Sequence, residues 1–297
     1  MFRYSVYGLT IASDLELRGL RACASTPGSD DVQIRSQPSA FASAPGKGNW
    51  HHLGPQESQL LWEGVGSFLI RDGCSISYHE HQGAVSGCLG QALLGPAMGL
   101  LLQQRGLMPL HASALAIDGV AIGIAGDSGM GKSTTAHALH ERRHRLVTDD
   151  IAALSCRGDE VIIPPGHAAL RLWPDSLLRV SANPSVHERI HADTEKRRIE
   201  LSDGLAVEPL RLAGIVVLCD GDDERLERLS LPRATIELLR HYYYPELTCK
   251  VLGPSVLMQQ CGRLAERIQV WRLHRRKLSG SIDTMVRLIE QCRESLR

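Results

Sequence analysis

Short apolar or alternating runs bounded by turn residues fill the chain up to about residue 80, a pattern that predicts β-strands. Residues 2–11, 31–35, 67–70 and 74–78 read as strands, and Asp72-Gly73 between the last two is a two-residue hairpin signal. Residues 36–58 are rich in Pro, Ser, Gly and His and read as a loop. The period then changes. Leu93, Met98, Leu101 and Leu102 fall at helical spacing, and 86–104 read as a helix.

Beyond it, residues 110–117 and 120–125 are apolar runs flanking Asp118-Gly119, a second hairpin signal. Residues 133–143 lack Gly and Pro and read as a helix, followed by a strand at 145–148 that ends in Asp149-Asp150. Strands are expected at 161–163, 215–219 and 269–273, and helices at 234–243, 256–268 and 282–295. Asp175 and Ser176 are placed to cap a further helix after Pro174. Two units are expected: 1–105, a β-rich N-terminal domain with a connecting helix, and 106–297, an α/β unit.

The turn between the run at 120–125 and the helix at 133–143 is Gly126-Asp127-Ser128-Gly129-Met130-Gly131-Lys132-Ser133, a full G-x-x-x-x-G-K-[ST] phosphate loop. Its glycines let main-chain N–H groups approach an anion, and the helix behind it points its positive end there. Lys132 is placed to reach the β- and γ-phosphates of ATP, Ser133 to ligate Mg²⁺, and Thr134 to follow them on the same turn. The strand entering the loop should pair antiparallel with the strand before it, through Asp118-Gly119. That predicts a mixed-sheet α/β fold in place of a doubly wound parallel one.

Phosphoryl transfer also needs a second oxygen ligand for the metal and a group that orients the acceptor. Asp149 and Asp150 end a strand, where side chains alternate, so the two carboxylates can divide that work. His111, on the strand preceding the phosphate loop, can hold or tune an aspartate base, or be a buried structural histidine. Arg171 and Lys196-Arg197-Arg198 are candidate clamps for phosphate or an acidic substrate.

Composition narrows the partners. The chain has 297 residues, and 33 basic residues balance 33 acidic ones, so it lacks the electrostatic footprint of a nucleic-acid binder. Aromatics make up only 4 %, which also argues against base-stacking surfaces. The uncharged stretch from Gly83 to Gln104 is broken by Gly, Gln and Pro, and reads as a packed helix and not as a membrane span. Arg3, Asp14, Glu16 and Arg18 are not the start of a signal peptide. The eight cysteines contain no C-x-x-C pair, so reduced thiols and a cytoplasmic location are expected.

The strings LHASALAIDGVAIGIAGDSGMGKST and HRLVTDDIAAL resemble the catalytic core of bacterial HPr kinase/phosphorylases. That resemblance implies a carboxykinase-like P-loop fold, with Asp149 as the base that activates a serine hydroxyl, His111 beside it and Asp150 on Mg²⁺. Two departures are visible. Thr134 stands where the family has a glutamate, and downstream only Ile199-Glu200-Leu201 faintly matches the family's second signature. YGLTIASDLEL, GLMPLHASALAIDG and LRLWPDS are similar to the HPr kinase-like proteins found with lasso-peptide biosynthesis. This closer likeness implies an ATP- and Mg²⁺-dependent kinase whose partner is a ribosomally made precursor peptide, phosphorylated on serine. HPr kinases assemble as hexamers, which extends the expectation to a homo-oligomer of unspecified stoichiometry. HPr kinase/phosphorylase activity proper, a small-molecule kinase, and a nucleotide sensor or ATPase switch remain the alternatives.

Overall fold

The computed structural model describes residues 1–24, 30–41, 50–85, 87–167, 169–179, 189–191, 194–201, 203–276 and 281–294. Its N-terminal part is a mixed sheet of eight strands among those residues, in the order Arg21–Ala22, Phe2–Val6, Leu9–Ser13, Val32–Ser36, Ser75–Glu80, Gly66–Arg71, Glu57–Trp62 and Trp50–Leu53. The Asp72-Gly73 hairpin forms, with both residues at positive φ. The single strand expected at 2–11 is instead a hairpin turning at Tyr7-Gly8, where Tyr7 adopts φ 56°. A tyrosine is a rare residue in that conformation, so composition gives no warning of the turn. Within the loop expected at 36–58, residues 42–49 lie outside the described residues, while Trp50–Leu53 is a strand paired with Glu57–Trp62.

The expected long helix is broken. It runs Cys88–Ala92, widens over Leu93–Ala97 and resumes at Met98–Gln104. Pro96 cannot donate to the helical ladder and crowds the preceding turn, and Gly95 takes up the distortion at φ −101°, ψ −107°. Leu93, Ala97, Met98, Leu101 and Leu102 bury against Phe68, Ile70 and Ile76 of the sheet. The same apolar cluster takes in Ile151, Ala153 and Tyr243 from the second half, so the two halves share a core. No described helix is long and apolar enough to cross a membrane.

The second half is built on the hairpin Ala112–Ile117/Val120–Gly126, which turns at Asp118-Gly119 as expected. Val120–Gly126 also pairs in parallel with Leu210–Asp220, and that strand in parallel with Gln269–Arg275. The sheet is therefore mixed. Side chains alternate along it, and both faces are buried. Ala114, Ala125, Ile215 and Val217 pack toward the helices Leu231–Arg240 and Pro254–Arg267. Leu115, Ile122, Ile124 and Val216 pack toward Lys132–Glu141 and Ile282–Glu294.

Several elements of this half have no counterpart among the expected ones: the strands Met108–Leu110, Ala152–Arg157, Ala169–Leu172, Arg189–His191, Thr194–Glu200 and Arg225–Arg228, and the short helix Pro245–Leu252. Asp175 and Ser176 do not cap the helix after Trp173; Pro174 is already its first residue.

Candidate active site

The phosphate loop joins the buried end of a central strand to the helix Lys132–Glu141. Gly126 has φ 144°, and a Cβ there would lie 3.0 Å from the Leu218 carbonyl. Gly131 has φ 89° at the helix start, so both ends of the turn need glycine. Lys132 is 8 % exposed, and its ammonium donates to the carbonyls of Gly126 at 2.7 Å and Asp127 at 3.3 Å, spanning the loop. Burial pulls its pKa below the usual lysine value, and Asp149 and Asp150 oppose that shift. The Asp127 side chain is exposed and meets Arg240 at 3.5 Å, while Met130 is half-buried against the sheet core with its sulfur 3.6 Å from Arg275. Their share in a phosphate cradle is the main chain.

Asp149 and Asp150 stand beside this loop but face different partners. Asp149 is 2 % exposed. It accepts from Ser133 Oγ at 3.0 and 3.1 Å and from Ser113 Oγ at 2.6 Å. Burial raises its pKa, and the two hydroxyls hold the rise back. Asp150 sits at φ 72°, a left-handed residue that breaks the strand alternation and swings its side chain away from Ser133. Its Oδ2 accepts from Arg171 at 3.0 Å, and its Oδ1 lies 3.3 Å from His111 Nδ1. Burial alone would raise the Asp150 pKa; the Arg171 guanidinium and His111 more than reverse it and hold the carboxyl well below the usual carboxylate range.

His111 is not inside a strand. It is the single residue between Met108–Leu110, which pairs with Ala152–Arg157, and Ala112–Ile117, which pairs with the loop-bearing strand. Its N–H is held by the His241 carbonyl at 2.8 Å. Nδ1 also lies 3.1 Å from the Asp150 carbonyl oxygen. Both oxygens near Nδ1 only accept, so the neutral ring carries its hydrogen there and leaves Nε2 as the acceptor.

Two hollows meet at this pair. A hollow of about 110 Å³ is lined by the end of the loop, Lys132 to Thr134, with Asp149, Trp173 and Lys196. A wider cleft of about 440 Å³ is lined by the loop's beginning, Gly126 to Ser128, with Arg240 and Tyr242 to Tyr244, and by Trp62 and Pro96 from the N-terminal half. His111, Ser128, Asp150 and Arg171 line both.

His111, Asp149, Asp150 and the loop residues other than Met130 thus line two adjoining hollows, and so do Arg171 and Lys196. Arg197 and Arg198 do not; Arg198 lines a separate hollow against Tyr4 and Leu20. Ser113 escaped the sequence reading, although it is two residues from His111 and followed by an alternating run. The triple tyrosine and Trp62 carried no signal, because their partners lie far away in sequence.

The bonding divides the two carboxylates between different partners. Asp149, foreseen as the base, shares its carboxylate with the loop serine; Asp150, foreseen on the metal, pairs with the histidine. Ser133 and Asp149 are hard oxygen donors within 3.1 Å of each other and suit Mg²⁺. The described residues contain no cluster of three His, Cys, Asp or Glu that would cage a metal unaided. Mg²⁺ needs no such cage, since it keeps waters and takes substrate phosphates as ligands.

Comparison with known proteins converges on the same stretch. The HPr kinase/phosphorylase of Treponema pallidum (strain Nichols) is 49% identical over 57 residues, 19% of this chain and 18% of that protein. That of Prosthecochloris aestuarii is 42% identical over 57 residues, 19% of this chain and 17% of that protein. The alignments thus span less than a fifth of the relatives' length. The solved HPr(Ser) kinase/phosphatase from Coxiella burnetii superposes with a TM-score of 0.33 at 18% identity, covering 63% of this chain and 94% of that one. Residues 106–171, from the strand before His111 through the phosphate loop and both aspartates to Arg171, match the family model of the HPr Serine kinase C-terminal domain.

Proposed function

We propose that this protein is an ATP-dependent kinase that phosphorylates a serine hydroxyl of a peptide. The observation that carries the proposal is the junction of two hollows at His111 and Asp150, one on each side of the phosphate loop. A triphosphate in the narrow hollow would present its terminal phosphoryl group to whatever occupies the wide cleft.

Roles follow from the bonding. Lys132 and the loop N–H groups hold the phosphates. Ser133 and Asp149 would hold Mg²⁺, which when bound offsets charge on the phosphate oxygens. Asp150 is fixed by Arg171 and in turn fixes His111, whose Nε2 is the free acceptor on that ring. The acceptor hydroxyl loses its proton to His111 Nε2 while its oxygen bonds the γ-phosphorus and the bond to the β-phosphate breaks. Positioning carries most of the rate in such a loose transition state. For the acceptor, the sequence likeness names a lasso-type precursor peptide. A second reading, HPr itself, is favoured by the names of the matched relatives.

The two aspartates separate the assignments. Asp150→Asn should keep nucleotide affinity and lose transfer by about 10²–10⁴-fold, the usual worth of a general base system. Asp149→Asn should lose Mg²⁺-dependent nucleotide affinity and transfer together. If Asp149→Asn instead spares nucleotide affinity and abolishes transfer, the sequence-based roles are right and these are wrong.

A further inference from the structure

We propose that the N-terminal half is part of the acceptor site, and that it selects peptides with a bulky apolar side chain next to the phosphorylated residue. The inference rests on the kinase reading above and names its substrate class.

Three parts of the N-terminal half reach the site. Tyr7, at the hairpin turn, donates its N–H to the Pro165 carbonyl at 2.7 Å and lies 4 % exposed near Asp150 and Arg171. Trp62, at the end of a strand, lines the wide cleft and is 41 % exposed. The broken helix supplies Gln91, Gly95 and Pro96 to the same wall.

The break in that helix has a purpose in this frame. Tyr243 packs against the helix at the break and one turn beyond it. A Cβ on Gly99 would lie 2.7 Å from the Tyr243 ring, and one on Gly95 would lie 3.2 Å from its hydroxyl. Tyr243 in turn stands 5.9 Å from the His111 ring and 4.8 Å from Tyr244, edge-on to the latter. Tyr244 is 44 % exposed in the cleft. Backbone distortions of this kind inside a helix recur at functional sites.

The cleft is thus walled by Trp62 and Tyr244, in a chain with only four Trp and six Tyr. Exposed aromatic walls bind flat or bulky apolar groups and order water poorly. Within the cleft Arg171 is matched by Asp150, and Arg240 by Asp127, so net charge does not recruit the ligand. Because the cleft shares His111 and Asp150 with the phosphate hollow, its occupant must present a hydroxyl there. At about 440 Å³ it has room for a short extended peptide segment.

The test is calorimetric titration of the full chain, with a non-hydrolysable ATP analogue present, using acetyl-Phe-Ser-Phe-amide and acetyl-Ala-Ser-Ala-amide. The wild-type chain should bind the first at least fivefold tighter. Trp62→Ala should erase the difference, and Trp62→Phe should restore it. Equal affinity of the wild-type chain for both peptides, failure to bind either, or a difference that survives Trp62→Ala would overturn the inference. Titration of the ATP analogue alone reads the phosphate-loop assignment separately, so the two can fail independently.

Discussion

Asp150 shows how one residue's backbone sets a site. Its left-handed φ of 72° turns the second carboxylate of a consecutive pair toward His111 and Arg171, while Asp149 keeps the strand's direction toward Ser133. The sequence discloses the pair and its distance from Lys132, but a positive φ on an aspartate is not written in any local pattern. The pair is therefore legible in sequence as a division of labour, but not the direction in which each carboxylate points. At this scale Ser113 also matters. Its hydroxyl is one of two that hold the buried Asp149 carboxylate. Ser113→Ala should cost about 1–3 kcal/mol of stability, because it strips a donor from a buried acceptor. It should also raise the Mg²⁺ concentration needed for half-maximal nucleotide binding. An unchanged Mg²⁺ dependence would separate Ser113 from the metal side of the site.

The elements most readable in advance are those whose signals are local. The Asp118-Gly119 hairpin, the loop and its helix, and the strand Arg145–Thr148 that leads into Asp149 each carry their own turn chemistry or period. Part of what escaped depends on a distant partner. The apolar start of the strand Ala152–Arg157 pairs with Met108–Leu110, more than forty residues earlier, and cannot be told from a buried loop without it. Helix Leu231–Arg240 illustrates an element tuned for the cleft. Glu237, 3 % exposed, bonds Arg272 and lies 3.5 Å from His241 and 3.7 Å from Arg240, the latter two lining the cleft. The hydrogen bond with His241, with Arg272 added and against the pull of burial, lowers its pKa to about 2. Glu237→Gln leaves Arg272 without its charge partner and should destabilise by about 3 kcal/mol at neutral pH. A group with a lowered folded pKa contributes stability above its unfolded value and loses it as pH falls through the folded one. The gap in unfolding midpoint between wild type and Glu237→Gln should therefore be full at pH 7 and shrink below about pH 4.3. A gap that stays constant from pH 7 to pH 3 would remove the pairing from the account.

Across the whole molecule, the N-terminal and C-terminal halves are tied by one shared apolar cluster and by contacts at the site itself, so acid should act on both together. His167 lies at the seam, against Gly19 of the N-terminal half. Burial, with Arg171 nearby, pushes its imidazole pKa down to about 4. Here the unfolded chain takes up a proton that the fold refuses, so stability falls as pH drops from about 6.5 toward 4. Denaturant titrations should show that early loss in the wild type and its absence in His167→Gln. The loss of Glu237 and Asp150 contributions should follow only at lower pH. A wild-type stability that is flat between pH 7 and pH 5 would contradict the buried neutral histidine.

The central claim is that the phosphoryl group crosses from the narrow hollow to a hydroxyl in the wide cleft. The most direct measurement is the fate of label from γ-labelled ATP, incubated with the protein, Mg²⁺ and a serine-containing peptide, with the alanine counterpart as control. Label should appear on the serine peptide alone, and the Asp150→Asn chain should bind ATP yet leave the peptide unlabelled. Release of all label as free phosphate, with none on any peptide, would mean that the loop drives a switch and not a transfer.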